Sequence, residues 1–176
     1  KIQLKHLDPT LKYNREKKSE IKLSLFFKEE SEYYKNRLQK NSIDFTIFLE
    51  DDFSISINRG KIVQIIDNLI SNSEYWLIKL KGNDPNCKPS ITIKIESPWI
   101  YFYDNGYGIS PAIENMLFEP FVTTKPKGEG RGLGLFIIQQ LLDSSKCTIA
   151  LEPSRNEHGR KYIFAINFSN IINEYK

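Results

Sequence analysis

Residues 128–135 read GEGRGLGL, four glycines in eight positions. Glycine loses more backbone freedom on folding than any other residue, so such a run is unfavourable unless the backbone needs what only glycine permits. The apolar stretch FIIQQLL follows at 136–142, and its spacing predicts a helix over 132–145. Gly128, Gly130, Gly132 and Gly134 therefore sit where a loop meets a helix N-terminus. Backbone N–H groups there can face an anion, and the helix dipole favours negative charge. The spacing is not that of a P-loop. A dinucleotide fingerprint fails on context, because no strand directly precedes the run and no βαβ unit surrounds it. A flexible hinge and a phosphate-binding helix start both remain, and they are compatible. The preceding FEPFVTTKPKGEGR (118–131) has no periodicity, two prolines, two hydroxyls and the cations Lys125, Lys127 and Arg131. That mixture predicts a mobile lid that orders on phosphates.

The remaining chain predicts one α+β domain. Its 176 residues suit a single core, and 40% hydrophobic with 27% charged residues is ordinary for a soluble globular protein. The net charge of +3 is spread out, so nucleic-acid binding is not indicated, and no apolar stretch reaches membrane-spanning length. Cys87 and Cys147 form neither a disulfide framework nor a metal spacing, which suits a reducing compartment. The chain opens without methionine and reads as a segment of something longer. Residues 1–20 are expected to be a lead-in, 21–169 the domain and 170–176 a tail. Strands are expected at 21–27, 44–50, 53–58, 91–96, 100–104, 147–152 and 161–168. Helices are expected at 28–41, from an Asn58 cap to about Lys81, at 110–117 behind Ser110 and Pro111, and at 132–145. Irregular alternation of these elements argues for helices packed on one face of a mixed sheet.

In the helix after Asn58, roughly 100° per residue places Ile62, Ile65, Ile66, Leu69, Trp76 and Leu80 on one side with Ser73 among them. Gln64, Asn68, Asn72, Tyr75 and Lys79 form a line beside that face. Asparagine is a weak helix former, so two in line suggest a pocket wall rather than a solvated flank. Their amide oxygens can ligate a hard cation such as Mg²⁺, which usually arrives with phosphates. YFYDNGYGIS (101–110) ends a strand on Asp104, with Gly106 and Gly108 next. An ordinary turn is one reading. A carboxylate there can also accept from an exocyclic amine such as that of adenine.

With these stretches in order, the chain resembles the GHKL (Bergerat-fold) ATP-binding domains, and most closely the catalytic domain of sensor histidine kinases. NLISNS (68–73) is similar to the family's N box, DNGYGI (104–109) to its G1 box, FEPFVTTK (118–125) to its F box and GRGLGL (130–135) to its G2 box. The four follow the family's order across roughly residues 20–168. The resemblance implies a two-layer α/β sandwich with Mg-ATP held between helices and a mobile lid. It implies that Asn72 holds Mg²⁺, with Asn68 one turn back near the phosphates. Asp104 would bind the adenine amine, with Gly106, Gly108 and Ile109 shaping that pocket. Phe118 and Phe121 would anchor the lid. Gly130, Gly132, Leu133 and Gly134 would line the phosphates, with Thr124, Lys125 and Arg131 as further contacts. Two positions depart from the family: Tyr75 stands where many histidine kinases carry a base, with Lys79 as the nearest substitute. Arg160-Lys161 stands where the final strand often begins Gly-Thr.

Three functions follow in order of expectation. The first is transfer of the ATP γ-phosphoryl to a histidine outside this chain, on a helical-hairpin dimerisation domain that passes it to a response regulator. The domain would be cytoplasmic, the parent protein soluble or membrane-anchored. The second is a hydrolytic clamp and the third a degenerate nucleotide-sensing module. Hydrolytic branches place a glutamate four residues before the Mg²⁺ asparagine. Here that residue is Asn68, which cannot take a proton from water. His6, close to Pro9, and His158, in the NEHGR turn, read as structural or surface residues rather than the acceptor.

Overall fold

The computed structural model describes residues 17–172, so His6, most of the expected lead-in and the end of the tail lie outside the described residues. The strands are β1 (Ser19–Lys22), β2 (Asp44–Asp51), β3 (Ser54–Ile57), β4 (Ser90–Glu96), β5 (Trp99–Asp104), β6 (Thr148–Leu151) and β7 (Ile163–Asn167). The helices are α1 (Leu23–Gln39), α2 (Arg59–Asn83) and α3 (Gly134–Asp143). A five-stranded sheet has the order β2-β4-β5-β7-β6, parallel at β2–β4 and antiparallel elsewhere. β1 and β3 pair separately as an antiparallel ribbon.

Side chains on a strand alternate between faces, and β4 shows this cleanly. Ile91, Ile93 and Ile95 are buried, whereas Thr92 and Lys94 are not. Ile100 and Phe102 of β5 and Phe164 and Ile166 of β7 continue the buried face, paired across the strands. The helices cover that face through Ile62, Ile65, Ile66, Leu69 and Leu77 of α2 and Ile138, Leu141 and Leu142 of α3. The fold is thus α+β, a mixed sheet with helices packed on one face.

Two expected elements and one expected core residue are corrected. Residues 21–27 do not form one strand: β1 ends at Lys22 and α1 begins at Leu23. Leu23, Phe26, Phe27, Tyr34 and Leu38 make one buried helical stripe. The turn is fixed by Leu23 N donating to the Phe53 carbonyl and Ser24 N to Asp52 Oδ1, both from the β2–β3 connection. Residues 110–117 form no α-helix. Ile113 N bonds back three residues to Ser110 O, and only a 3₁₀ turn, Glu114–Met116, follows. Trp76 is not core: it is 36% exposed, and Leu77 and Ile70 take the interior instead. The Asn58 cap is present, its side chain accepting from Lys61 N at 3.3 Å.

The central strand generates a test of this core. Phe102→Ala removes a buried ring from between helices and sheet, and we expect a loss of about 3–5 kcal/mol. Urea unfolding of both proteins measures it.

Candidate functional site

A cavity of about 650 Å³ lies between α2, the start of α3, the 118–131 connection and the ends of β5 and β7. Its two ends differ in chemistry. At one end Asp104 terminates β5. Ser73 Oγ donates to Asp104 Oδ2, and Gly106 N donates to Oδ1 at 2.9 Å. Burial raises the Asp104 pKa, while these two bonds pull it down without cancelling the effect. Ile109, Ile113, Leu117 and Phe164 supply apolar wall, and Trp76 and Tyr107 stand beside them. The result is an apolar slot with one carboxylate in it. Such a site suits a flat heterocycle bearing an N–H donor.

Two glycines make this end possible. A Cβ at Gly106 would lie 2.9 Å from Asp104 Oδ1, so only a bare backbone lets the carboxylate fold over and take the amide. Gly108 has φ +75°, and a Cβ there would meet the Lys161 carbonyl oxygen at 2.9 Å. Asn156 braces the same turn, donating from Nδ2 to Gly106 O at 3.1 Å while its Oδ1 accepts from Arg160 N.

At the other end α2 presents Asn68 and Asn72 to the first residue of α3. A Cβ at Gly134 would stand 3.5 Å from Asn72 Nδ2 and 3.6 Å from Asn68 Oδ1. Thr124, Lys125, Gly130 and Arg131 close this end from the connection. Lys125 Nζ donates to Asn72 Oδ1 at 3.5 Å, and its burial lowers its pKa. This end offers amides, hydroxyls, cations and the N-terminus of α3, which together attract a polyanion. Among the described residues no cluster of His, Cys, Asp or Glu could hold a metal ion by itself.

Asn68, Asn72, Asp104, Gly108, Ile109, Thr124, Lys125, Gly130, Arg131, Gly132, Leu133 and Gly134 all line the cavity. Gly106, Phe118 and Phe121 do not. Gly106 acts behind Asp104, and Phe118 packs edge-on to Phe164 with centroids 6.4 Å apart. Phe121 is 69% exposed, so its side chain does not anchor the connection. The backbone does so instead: Phe121 N donates to Gly132 O at 2.8 Å. A Cβ at Gly132 would lie 2.5 Å from the Phe121 carbonyl carbon. Lys79 is not the substitute cation near Asn72; it pairs with Glu129, and Lys125 takes that place. His158 is a turn residue against the Tyr107 ring.

Ser73, Trp76, Tyr107, Arg160 and Tyr162 also line the cavity and were not expected there. Asn68, Asn72 and Trp76 stand at i, i+4, i+8, a signal overshadowed by the apolar character of tryptophan. Arg160 and Tyr162 reach the site only because β7 lies beside β5, which local spacing does not reveal.

The raised Asp104 pKa has a stability consequence. The folded protein binds that proton more tightly than the unfolded chain. The contribution is therefore fully present in acid and lost as pH rises through the folded pKa. Asp104→Asn removes the buried charge and keeps an acceptor for Gly106. We expect it to melt higher than the parent at pH 7, with the gap narrowing toward about pH 4. Thermal melts across that range check the sign.

Comparison with known proteins agrees with this geometry. Residues 57–170 match the family described as Histidine kinase-, DNA gyrase B-, and HSP90-like ATPase. The two-component sensor PprA of Pseudomonas aeruginosa is 34% identical over 88 residues, covering 47% of this chain and 9% of its own. The sensor protein ChvG of Rhizobium meliloti is 29% identical over 130 residues, covering 67% of this chain and 21% of its own. The chain thus spans about a tenth to a fifth of these relatives. The catalytic domain of histidine kinase ThkA superposes with TM-score 0.66 at 25% identity, over 87% of this chain and 97% of that one. The chain therefore belongs to the family of histidine kinase-, DNA gyrase B- and HSP90-like ATPases.

Proposed function

We propose that this chain is the Mg-ATP-binding catalytic domain of a protein-histidine kinase. It would deliver the γ-phosphoryl group to a histidine on a separate helical hairpin, and through it to a response regulator. The observation that carries this reading is the distribution of carboxylates. Asp104 is the one acidic residue among the described residues lining the cavity, and it lies at the apolar end. Among the described residues lining the cavity, the end with Asn68 and Asn72 carries no carboxylate to take a proton from water. Hydrolysis needs such a base. Transfer to an acceptor delivered by a partner depends mostly on positioning and charge stabilisation.

The residues present fit the nucleotide and its ion. Asp104 accepts from the adenine amine, and its desolvated setting makes an unpaired carboxylate unfavourable when the amine is missing. Asn72 offers one hard oxygen, which suits Mg²⁺ only as a companion of phosphate oxygens. When bound, Mg²⁺ supplies neutralisation and orientation of the phosphates. Asn68 and Thr124 would donate hydrogen bonds to the phosphates, and Lys125 and Arg131 would add charge. The backbone at Gly130, Gly132, Leu133 and Gly134 opens α3 toward the anion. We take the domain as 21–169 together with Ser19 and Glu20 of β1, with the residues before it leading in and 170–176 as a tail. A supply of ATP and a regulator partner imply a cytoplasmic setting. Among the described residues no helix is long and apolar enough to cross a membrane.

Incubation of the purified chain with γ-labelled ATP tests the reading. We expect Mg²⁺-dependent binding, slow phosphate release and no label on the chain. A helical hairpin bearing an exposed histidine should become labelled. Asn72→Ala should reduce that transfer on the order of a hundredfold, and Asp104→Asn should lose adenine-nucleotide binding. Sustained release of free phosphate would favour a hydrolytic clamp, and no nucleotide binding would leave a degenerate module.

A further inference from the structure

Tyr75 occupies a position of α2 where a base is expected, and the structure brings a cation to that place from elsewhere. The Lys125 ammonium lies 4.2 Å from the centroid of the Tyr75 ring and 3.5 Å from Asn72 Oδ1. Its aliphatic stem runs along Gly130, where an added Cβ would meet Lys125 Cδ at 2.8 Å. No carboxylate pairs with it among the described residues. Tyr75 is itself held at its hydroxyl. Its hydroxyl donates to Glu129 Oε2, and Lys79 Nζ lies 3.3 Å from the same oxygen. Trp76 packs edge-on to the Tyr75 ring at 5.0 Å. One helix side chain thus touches the connection at two points four residues apart.

Resting on the nucleotide-binding reading above, we propose that Tyr75 is a positioning residue for phosphate recognition. Its ring seats the loop-borne ammonium of Lys125 over Asn72, and its hydroxyl fixes the loop through Glu129. The choice of an aromatic seat has a physical reason. A carboxylate partner would order the lysine but cancel its charge and compete with phosphate. A ring face orders the ammonium by its quadrupole and leaves the full positive charge available. Partial burial strengthens that charge toward an incoming anion.

The test is a comparison of ATP, ADP and adenosine affinities, each with Mg²⁺. The proteins are the parent, Tyr75→Leu, Tyr75→Phe, Lys125→Met and the Tyr75→Leu/Lys125→Met double variant. Tyr75→Leu and Lys125→Met should each weaken ATP binding about tenfold and leave adenosine binding as in the parent. The double variant should be no weaker than either single one, because both remove the same contact. Tyr75→Phe should recover most of the ATP affinity, while amides of 125–131 exchange faster than in the parent. Parent-like ATP binding by Tyr75→Leu, or losses that multiply in the double variant, would overturn the proposal and leave the nucleotide site standing. An equal loss for adenosine would show a merely structural role. Failure of the parent to bind any of the three ligands would overturn the nucleotide reading and this proposal with it.

Discussion

The hydrogen bond from Ser73 to Asp104 joins the middle of α2 to the end of β5, and the rest of the site is in register with it. Ser73 is buried in the inward line of α2, between Leu69 and Leu77. With that line turned to the sheet, residues one position earlier in each turn fall at its edge. Asn68 and Asn72 are those residues, so the same rotation that packs the core aims two amides at α3. Rotating α2 to expose Ser73 would withdraw the asparagines and unseat the carboxylate together.

The opposite side of α2 is held by polar contacts from α1 and from the turn that follows it. Arg37 donates to Glu74 Oε2 from Nε at 2.9 Å and from Nη2 at 2.6 Å, and also to Ser71 Oγ at 2.9 Å. Asn41 Nδ2 donates to Glu74 Oε1 at 3.1 Å. Two nitrogens of a rigid planar guanidinium converging on one carboxylate oxygen are more directional than a lysine pair. It therefore restrains the azimuth of the helix as well as its distance. Glu74 is thereby committed to structure, although it lies only two residues from Asn72.

Legibility in the sequence followed the range of the interactions involved. Asn58 as a cap, the one-sided alternation of β4 and the glycines before α3 are local devices, and spacing revealed them. IKLSLFF fits a strand or a helix by pattern alone; the deciding bonds come from Asp52 and Phe53, distant in the chain. The helical angle places Trp76 inward, but Leu77 beside it fills the space and Trp76 is left at the edge. The site was legible where it is carried by short motifs, as at Asp104 and Asn72. It was not legible at Arg160 and Tyr162, which depend on strand order. Neither was the exchange of Lys79 for Lys125, which depends on how the connection folds back over Tyr75.

The bond between Phe121 N and Gly132 O closes the base of the connection, so the ten residues between them form a loop whose two ends are already together. The entropy of closing such a loop grows only slowly with its length, by roughly 0.6 kcal/mol for each doubling. A chain with this base can therefore lengthen or shorten the segment over the cavity with little effect on the stability of the sheet and helices beneath it. Tolerance to insertion is in this sense built into the backbone at a single rung. The size of the cover is free to vary while the floor it covers is not.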